Sequence, residues 1–122
     1  MHILVVDDEP LVAQTLSLIF RKNGFEVSTV YNAEEALTSA LLTRPDLILC
    51  DIDMPGKDGV SLMRDIGREL PQCPILVLTG FYSSLSRVRD CALSLQQPVN
   101  IVTKPCQPVD LLRAAGDMLK IA

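Results

Sequence analysis

Four apolar runs in this chain each stop on a side chain able to handle a phosphoryl group. The run opening at Met1 ends on Asp7 and Asp8; Leu47 to Cys50 ends on Asp51. Pro74 to Leu78 ends on the hydroxyl of Thr79, and Val99 to Thr103 ends on the amine of Lys104. In an open α/β sheet, chemistry collects beyond the carboxyl ends of the parallel strands. Two ionised carboxylates ~4 Å apart repel by roughly 4 kcal/mol at an effective dielectric near 20. Asp7, Asp8 and Asp51 brought together therefore need a cation or a shared proton. Magnesium suits them, because it prefers oxygen ligands and keeps several waters. The backbone carbonyl of Asp53 would add one more oxygen.

A carboxylate such as Asp51 can act as a nucleophile and form an acyl phosphate. Phosphoryl transfer asks mainly for positioning and charge neutralisation. A cation would face one phosphoryl oxygen, the Lys104 ammonium a second, and the Thr79 hydroxyl or nearby amides the third. Gly80 keeps the backbone open where a phosphate would approach. Taken singly, these residues have plainer readings. Asp8 reads as a helix cap, Lys104 as a solvated lysine, Thr79 as the end of a strand, and Asp53 and Asp58 as exposed loop acids. Only the joint pattern carries the chemical reading.

The elements that must position these groups alternate strand and helix five times. Pro10 is placed to open a helix that carries Val12, Leu16, Ile19 and Phe20 inward and stops at Asn23 and Gly24, a left-handed cap. A second strand runs from about Glu26 to Tyr31. Asn32 caps the next helix, with Glu35 three residues later; Ala33, Ala36, Leu37, Ala40 and Leu41 are its buried face, and it ends before Pro45. After the strand Leu47 to Asp51, the loop Met54 to Lys57 leads to Asp58, the expected cap of a third helix with Val60, Met63, Ile66 and Leu70 inward. A shorter fourth helix carries Leu85, Val88, Ala92 and Leu95. A fifth carries Leu111, Leu112, Ala115, Met118 and Leu119. Near-continuous β-branched and leucine strands between amphipathic helices predict a doubly wound parallel sheet covered on both faces, a flavodoxin-like three-layer sandwich.

The bulk properties fit one domain over residues 1–122, 48% hydrophobic with a net charge of −4 and a mean hydropathy of +0.29. That is too apolar for a disordered chain, and the acidic balance argues against direct nucleic-acid binding. No apolar run reaches the length of a membrane span, and the acids from Asp7 to Glu9 interrupt the first one before it resembles a secretion signal. A cytoplasmic location is expected. The four cysteines, Cys50, Cys73, Cys91 and Cys106, form no CxxC pair, so a zinc site is not expected. The nearness of Cys50 and Cys106 to the acids leaves redox sensitivity open.

Four motifs now stand together: Val5-Val6-Asp7-Asp8-Glu9-Pro10, Asp51-Ile52-Asp53-Met54-Pro55-Gly56-Lys57-Asp58-Gly59, Thr79-Gly80 and Lys104-Pro105. In this combination the chain resembles, over its whole length, the receiver domain of two-component response regulators, of the kind met in chemotaxis. The resemblance implies a five-stranded sheet of order 2-1-3-4-5 with five helices. It makes Asp51 the phosphoacceptor, Asp8 a direct metal ligand together with Asp51 and the Asp53 carbonyl, and Asp7 a ligand through water. The metal is magnesium or manganese. Thr79 becomes the switch hydroxyl and Lys104 the phosphate-pairing lysine. A sensor histidine kinase or phosphotransfer protein would donate the phosphoryl group. The surface of the fourth helix, fifth strand and fifth helix would then change for an output domain, a partner or a homodimer. The domain would catalyse only its own phosphorylation and dephosphorylation.

Three positions depart from the family. The strand-five switch position, usually aromatic, is Ile101. Gln96-Gln97-Pro98 leads into that strand, and Pro98 should stiffen the surface there. Cys106 follows Pro105 where an aromatic is common. Asp53 and Phe81 are candidates for tuning the phosphoryl lifetime, Phe81 by shielding it from water. Two other functions stay open at this point: a phosphohydrolase with an aspartate nucleophile, suggested by Asp51 and Asp53, and a pseudo-receiver that works without phosphorylation.

Overall fold

A computed structural model describes residues 1–53, 59–80 and 82–120. Five strands, β1 (His2–Val6), β2 (Glu26–Val30), β3 (Leu47–Asp51), β4 (Ile75–Thr79) and β5 (Val99–Thr103), alternate with helices α1 (Pro10–Lys22), α2 (Ala33–Thr43), α3 (Gly59–Glu69), α4 (Tyr82–Ser94) and α5 (Pro108–Leu119). All strand pairs are parallel, in the order β2-β1-β3-β4-β5. This is the doubly wound, flavodoxin-like sandwich expected from the sequence.

The two-residue period of a strand sorts its side chains to opposite faces. Leu4, Val6, Ile48, Cys50, Ile75 and Val77 join one core cluster with Ala36 and Ala40 of α2, Met63 and Ile66 of α3, and Val88 of α4. The alternate residues Ile3, Val5, Leu47, Leu49, Leu76 and Leu78 join the other, with Leu16 and Phe20 of α1 and Leu111 and Ala115 of α5. Both faces are covered, which is why β3 and β4 are buried at every position.

Several local expectations hold. Asn32 caps α2, its side chain accepting from the Glu35 N–H at 2.8 Å. Gly24 has φ of +92°, a conformation that favours glycine. The inward face of α1, however, comprises Ala13, Leu16, Ser17 and Phe20; Val12 is 37% exposed and Ile19 half-buried. Apolar residues cover much of this helix, so the helical period alone does not pick out the contact line. Likewise Leu41 is 39% exposed, because the alanines of α2 set its contact line. Leu62, unremarked in the helical pattern, is fully buried. The expected Asp58 cap and the Met54–Lys57 loop lie outside the described residues. Among the described residues, no helix is long and apolar enough to cross a membrane.

Candidate functional site

Strand register decides which residues meet. Val6 pairs with Cys50, so the next residues, Asp7 and Asp51, emerge side by side. Thr79 at the end of β4 pairs with Thr103, and Lys104 follows at once, its backbone N–H donating to the Thr79 carbonyl at 2.8 Å. The Lys104–Pro105 peptide bond is cis. Four apolar runs thus deliver their terminal groups to one edge of the sheet.

Asp7, Asp8 and Asp51 each offer a ligand atom, all within 4.8 Å of one another. Lys104 Nζ donates to Asp51 Oδ2 at 2.9 Å; the Asp51 side chain is 6% exposed and that of Lys104 37%. The other oxygen of Asp51, Oδ1, accepts from the Asp53 N–H at 2.9 Å. Asp7 is almost fully buried. Its Oδ1 accepts from the Glu9 N–H at 2.9 Å, while its buried Oδ2 has no hydrogen-bond partner among the described residues. Burial foremost, then the charges of Asp51 and Asp8, push the Asp7 carboxyl up to about 6 against the pull of the Glu9 N–H and Lys104. Burial alone would lower Lys104, but its bond to Asp51 and the charges of Asp51, Asp7 and Asp53 reverse that and hold it above its ordinary value.

These residues fit a small divalent cation. An orphaned, buried carboxylate oxygen inside a cluster of three acids is costly unless something positive stands beside it, and one ammonium offsets only one of the three charges. An all-oxygen donor set suits magnesium or manganese rather than a soft metal.

Thr79 is fully buried, and its Oγ1 lies 3.2 Å from Asp53 Oδ1 and 3.4 Å from Oδ2. The Gly80 N–H donates to Asp53 Oδ2 at 2.7 Å. Asp53 is therefore not a plain exposed loop acid: it is half-buried and ties the end of β3 to the end of β4. Nothing in the sequence announces this, because the partners are 26 and 27 residues away. A Cβ placed on Gly80 would meet Lys104 Cβ at 3.6 Å and Asp53 Oδ2 at 3.8 Å, ordinary contacts, so the packing alone does not demand glycine there. Ile101 is half-buried against the α2–α3–α4 core cluster. Phe81 lies outside the described residues.

Sequence reasoning also missed the role of Gln97, 4% exposed, whose Nε2 donates to the Leu70 carbonyl at 3.2 Å. It stitches the chain entering β5 to the end of α3, a role hidden by its polar neighbours. The two thiols nearest the acids show no activation. Burial first, then the nearby acids Asp51 and Asp7, push Cys50 up to about 12, and burial with Asp110 raises Cys106. Reactive cysteines need the opposite, a stabilised thiolate.

With this geometry in place, comparison with known proteins is specific. The family model described as "Response regulator receiver domain" matches residues 3–116. The DNA-binding response regulator MtrA of Mycolicibacterium smegmatis is 34% identical over 112 residues, which are 91% of this chain and 47% of that protein. The chain thus spans about half the length of this relative. A response regulator receiver domain protein from Clostridium thermocellum superposes with a TM-score of 0.88 at 25% identity, covering 97% of this chain and 93% of that one. Chemotaxis response regulator CheY4 of Vibrio cholerae does so with a TM-score of 0.83 at 28% identity, covering 97% and 98%.

Proposed function

As the chain belongs to the response regulator receiver family, we propose that Asp51 accepts a phosphoryl group from a phosphohistidine on a sensor histidine kinase or phosphotransfer protein. Residues 1–122 act as one receiver domain, in the cytoplasm. The observation that carries the reading is the Asp51 carboxylate, held on one side by Lys104 Nζ at 2.9 Å and crowded on the other by Asp7 and Asp8. Asp51 attacks phosphorus; the O–P bond forms as the donor's P–N bond breaks, and the departing imidazole nitrogen takes up a proton.

Lys104 follows the charge, passing from Asp51 Oδ2 to a phosphoryl oxygen. The Asp53 N–H, already bonded to Asp51 Oδ1, keeps the carboxylate from rotating. Asp8, Asp51 and the Asp53 carbonyl would hold magnesium or manganese directly and Asp7 would hold it through water. When bound, the ion supplies charge neutralisation for the acids and the transferring group. Thr79 is the switch hydroxyl, drawn toward the new phosphate. Ile101 takes the aromatic's place against the core, and being smaller it transmits a smaller movement to the α4–β5–α5 surface. That surface serves an output domain or partner, or a two-fold homodimer in which Arg87 and Arg89 face Asp110 and Asp117. The acyl phosphate is lost again by hydrolysis, so the domain turns over no external substrate beyond its phosphodonor. Asp53 and Phe81 tune that lifetime.

The hydrolase alternative is not favoured, since the Asp53 carboxylate is engaged with Thr79 and Gly80 and does not serve as an acid/base. Incubation with magnesium and a small phosphodonor, followed by intact mass, tests the reading. One added phosphoryl group is expected on the wild-type chain and none on Asp51→Asn. An unmodified wild-type chain would favour the pseudo-receiver alternative instead.

A further inference from the structure

The two donors best placed to receive a phosphoryl oxygen beside Lys104 are the Thr79 hydroxyl and the Gly80 N–H, and both point at the carboxylate of Asp53. Its Oδ2 lies 2.7 Å from the Gly80 nitrogen, and its two oxygens lie 3.2 and 3.4 Å from Thr79 Oγ1. The same residue's N–H is bonded to Asp51 Oδ1. Asp53 therefore spans the gap between the acceptor carboxylate and the switch hydroxyl, its backbone N–H on the first and its side chain on the second. Lys104 is anchored to the same corner, through its N–H to the Thr79 carbonyl.

A carboxylate held by one hydroxyl and one main-chain amide has the bonding of a bound anion. We infer that Asp53 is an internal competitor for the phosphoryl group: its carboxylate occupies the Thr79 and Gly80 donors at rest and must release them before the phosphorylated form is complete. This rests on the phosphoacceptor reading and adds a positioning residue to it. The Asp53 side chain touches no reacting atom; it acts through Thr79 and Gly80. The physics is a population argument. If only a fraction of molecules has the donors released, the apparent affinity for any phosphoryl-like anion falls by that fraction. Hydrogen bonds to a charged acceptor are among the stronger kind, so the released fraction is small.

The test is binding of trifluoroberyllate in excess magnesium, followed by calorimetry and by the methyl resonance of Thr79. Asp53→Ala is expected to bind about tenfold more tightly than wild type, and its Thr79 methyl resonance, before any anion is added, should shift toward the position seen in the anion-bound wild type. Asp53→Asn, which keeps an acceptor oxygen without the charge, should fall between. In a Thr79→Val background the gain from Asp53→Ala should shrink to about threefold or less, since one of the two competed donors is gone. An equal gain in both backgrounds would mean that only a nearby negative charge had been removed, and would overturn the inference. So would an Asp53→Ala chain that binds no more tightly than a wild type that does bind. If neither wild type nor any Asp53 variant binds the anion, the phosphoacceptor reading itself fails and takes this inference with it.

Discussion

Replacing Asp7 with asparagine probes the electrostatic strain built into the acidic cluster. The carboxyl is 1% exposed and is pushed from 3.8 to about 6, by burial first and by Asp51 and Asp8 after it. A folded-state value above the unfolded one means that the fold holds more protons than the unfolded chain between those two values. Stability therefore falls as pH rises through that window and stays low above it. At ~1.4 kcal/mol per pKa unit, the charged carboxylate costs the fold roughly 3 kcal/mol above pH 6. Asparagine keeps the shape and an oxygen for the Glu9 N–H but carries no charge, and its weaker acceptance gives back about 1 kcal/mol. The metal-free Asp7→Asn protein should then be more stable than wild type by about 2 kcal/mol near pH 7.5, a rise of roughly 6–10 °C in Tm. Near pH 4.5, where most of the penalty has gone, the gain should fall to about zero. Saturating magnesium should close the gap at the higher pH, because an ion at ~100 times its Kd stabilises the wild type by about 2.7 kcal/mol. Denaturant unfolding with chelator at both pH values, then with magnesium, gives all three numbers. A variant less stable than wild type in chelator near pH 7.5, or a gain that survives acidification, would refute the reasoning.

Two further outcomes follow from the geometry. Lys104→Met removes the ammonium 2.9 Å from Asp51 and leaves a buried carboxylate uncompensated; because the lysine is partly solvated, the loss should be about 1–2 kcal/mol rather than that of a fully buried pair. Lys104 is held above its ordinary value, so that stabilisation is complete at neutral pH and disappears only as pH rises through the lysine's folded-state value; unchanged unfolding curves at neutral pH would count against the ion pair. Gly59→Ala places a Cβ 2.8 Å from the Ile52 carbonyl oxygen and 2.9 Å from Ile52 Cα. Backbone cannot give way as a side chain tip can, so a loss of about 1–3 kcal/mol is expected although alanine is the better helix former by ~1 kcal/mol, and a stabilised variant would show that helix propensity had won.

What the sequence makes legible here, and what it does not, divides along a physical line. Asp7, Asp51, Thr79 and Lys104 are visible because each ends an apolar run, and parallel strands of equal length bring such ends together whatever the helices do. The left-handed turn at Gly24 and the Asn32 cap are visible because they depend on neighbours a few residues away. The choice of Ala13 and Ser17 over Val12 as the contact line of α1 depends on volumes on the sheet surface, which the helical period does not encode. The burial of Gln97 and the engagement of Asp53 depend on partners at separations of 26 or 27 residues. Polar residues in loops look alike until such partners are known.

Adjacent acids with unlike surroundings give this site its direction. Asp7 is buried with an orphaned oxygen, whereas Asp8 is half-buried at the mouth of the cluster. The fold therefore carries at Asp7 a charge it disfavours, beside an Asp51 already matched by Lys104. A divalent ion held by such a cluster would relieve the first charge and free Lys104 from sole responsibility for Asp51. Only then would the ammonium be available to a phosphoryl group at little electrostatic cost. On the phosphoacceptor reading the order is ion first and phosphoryl second, and phosphorylation of the wild-type chain by a small donor is expected to stop in chelator. If Asp51 were phosphorylated equally well without a divalent ion, Lys104 alone would be sufficient and the strain at Asp7 would have no part in the chemistry.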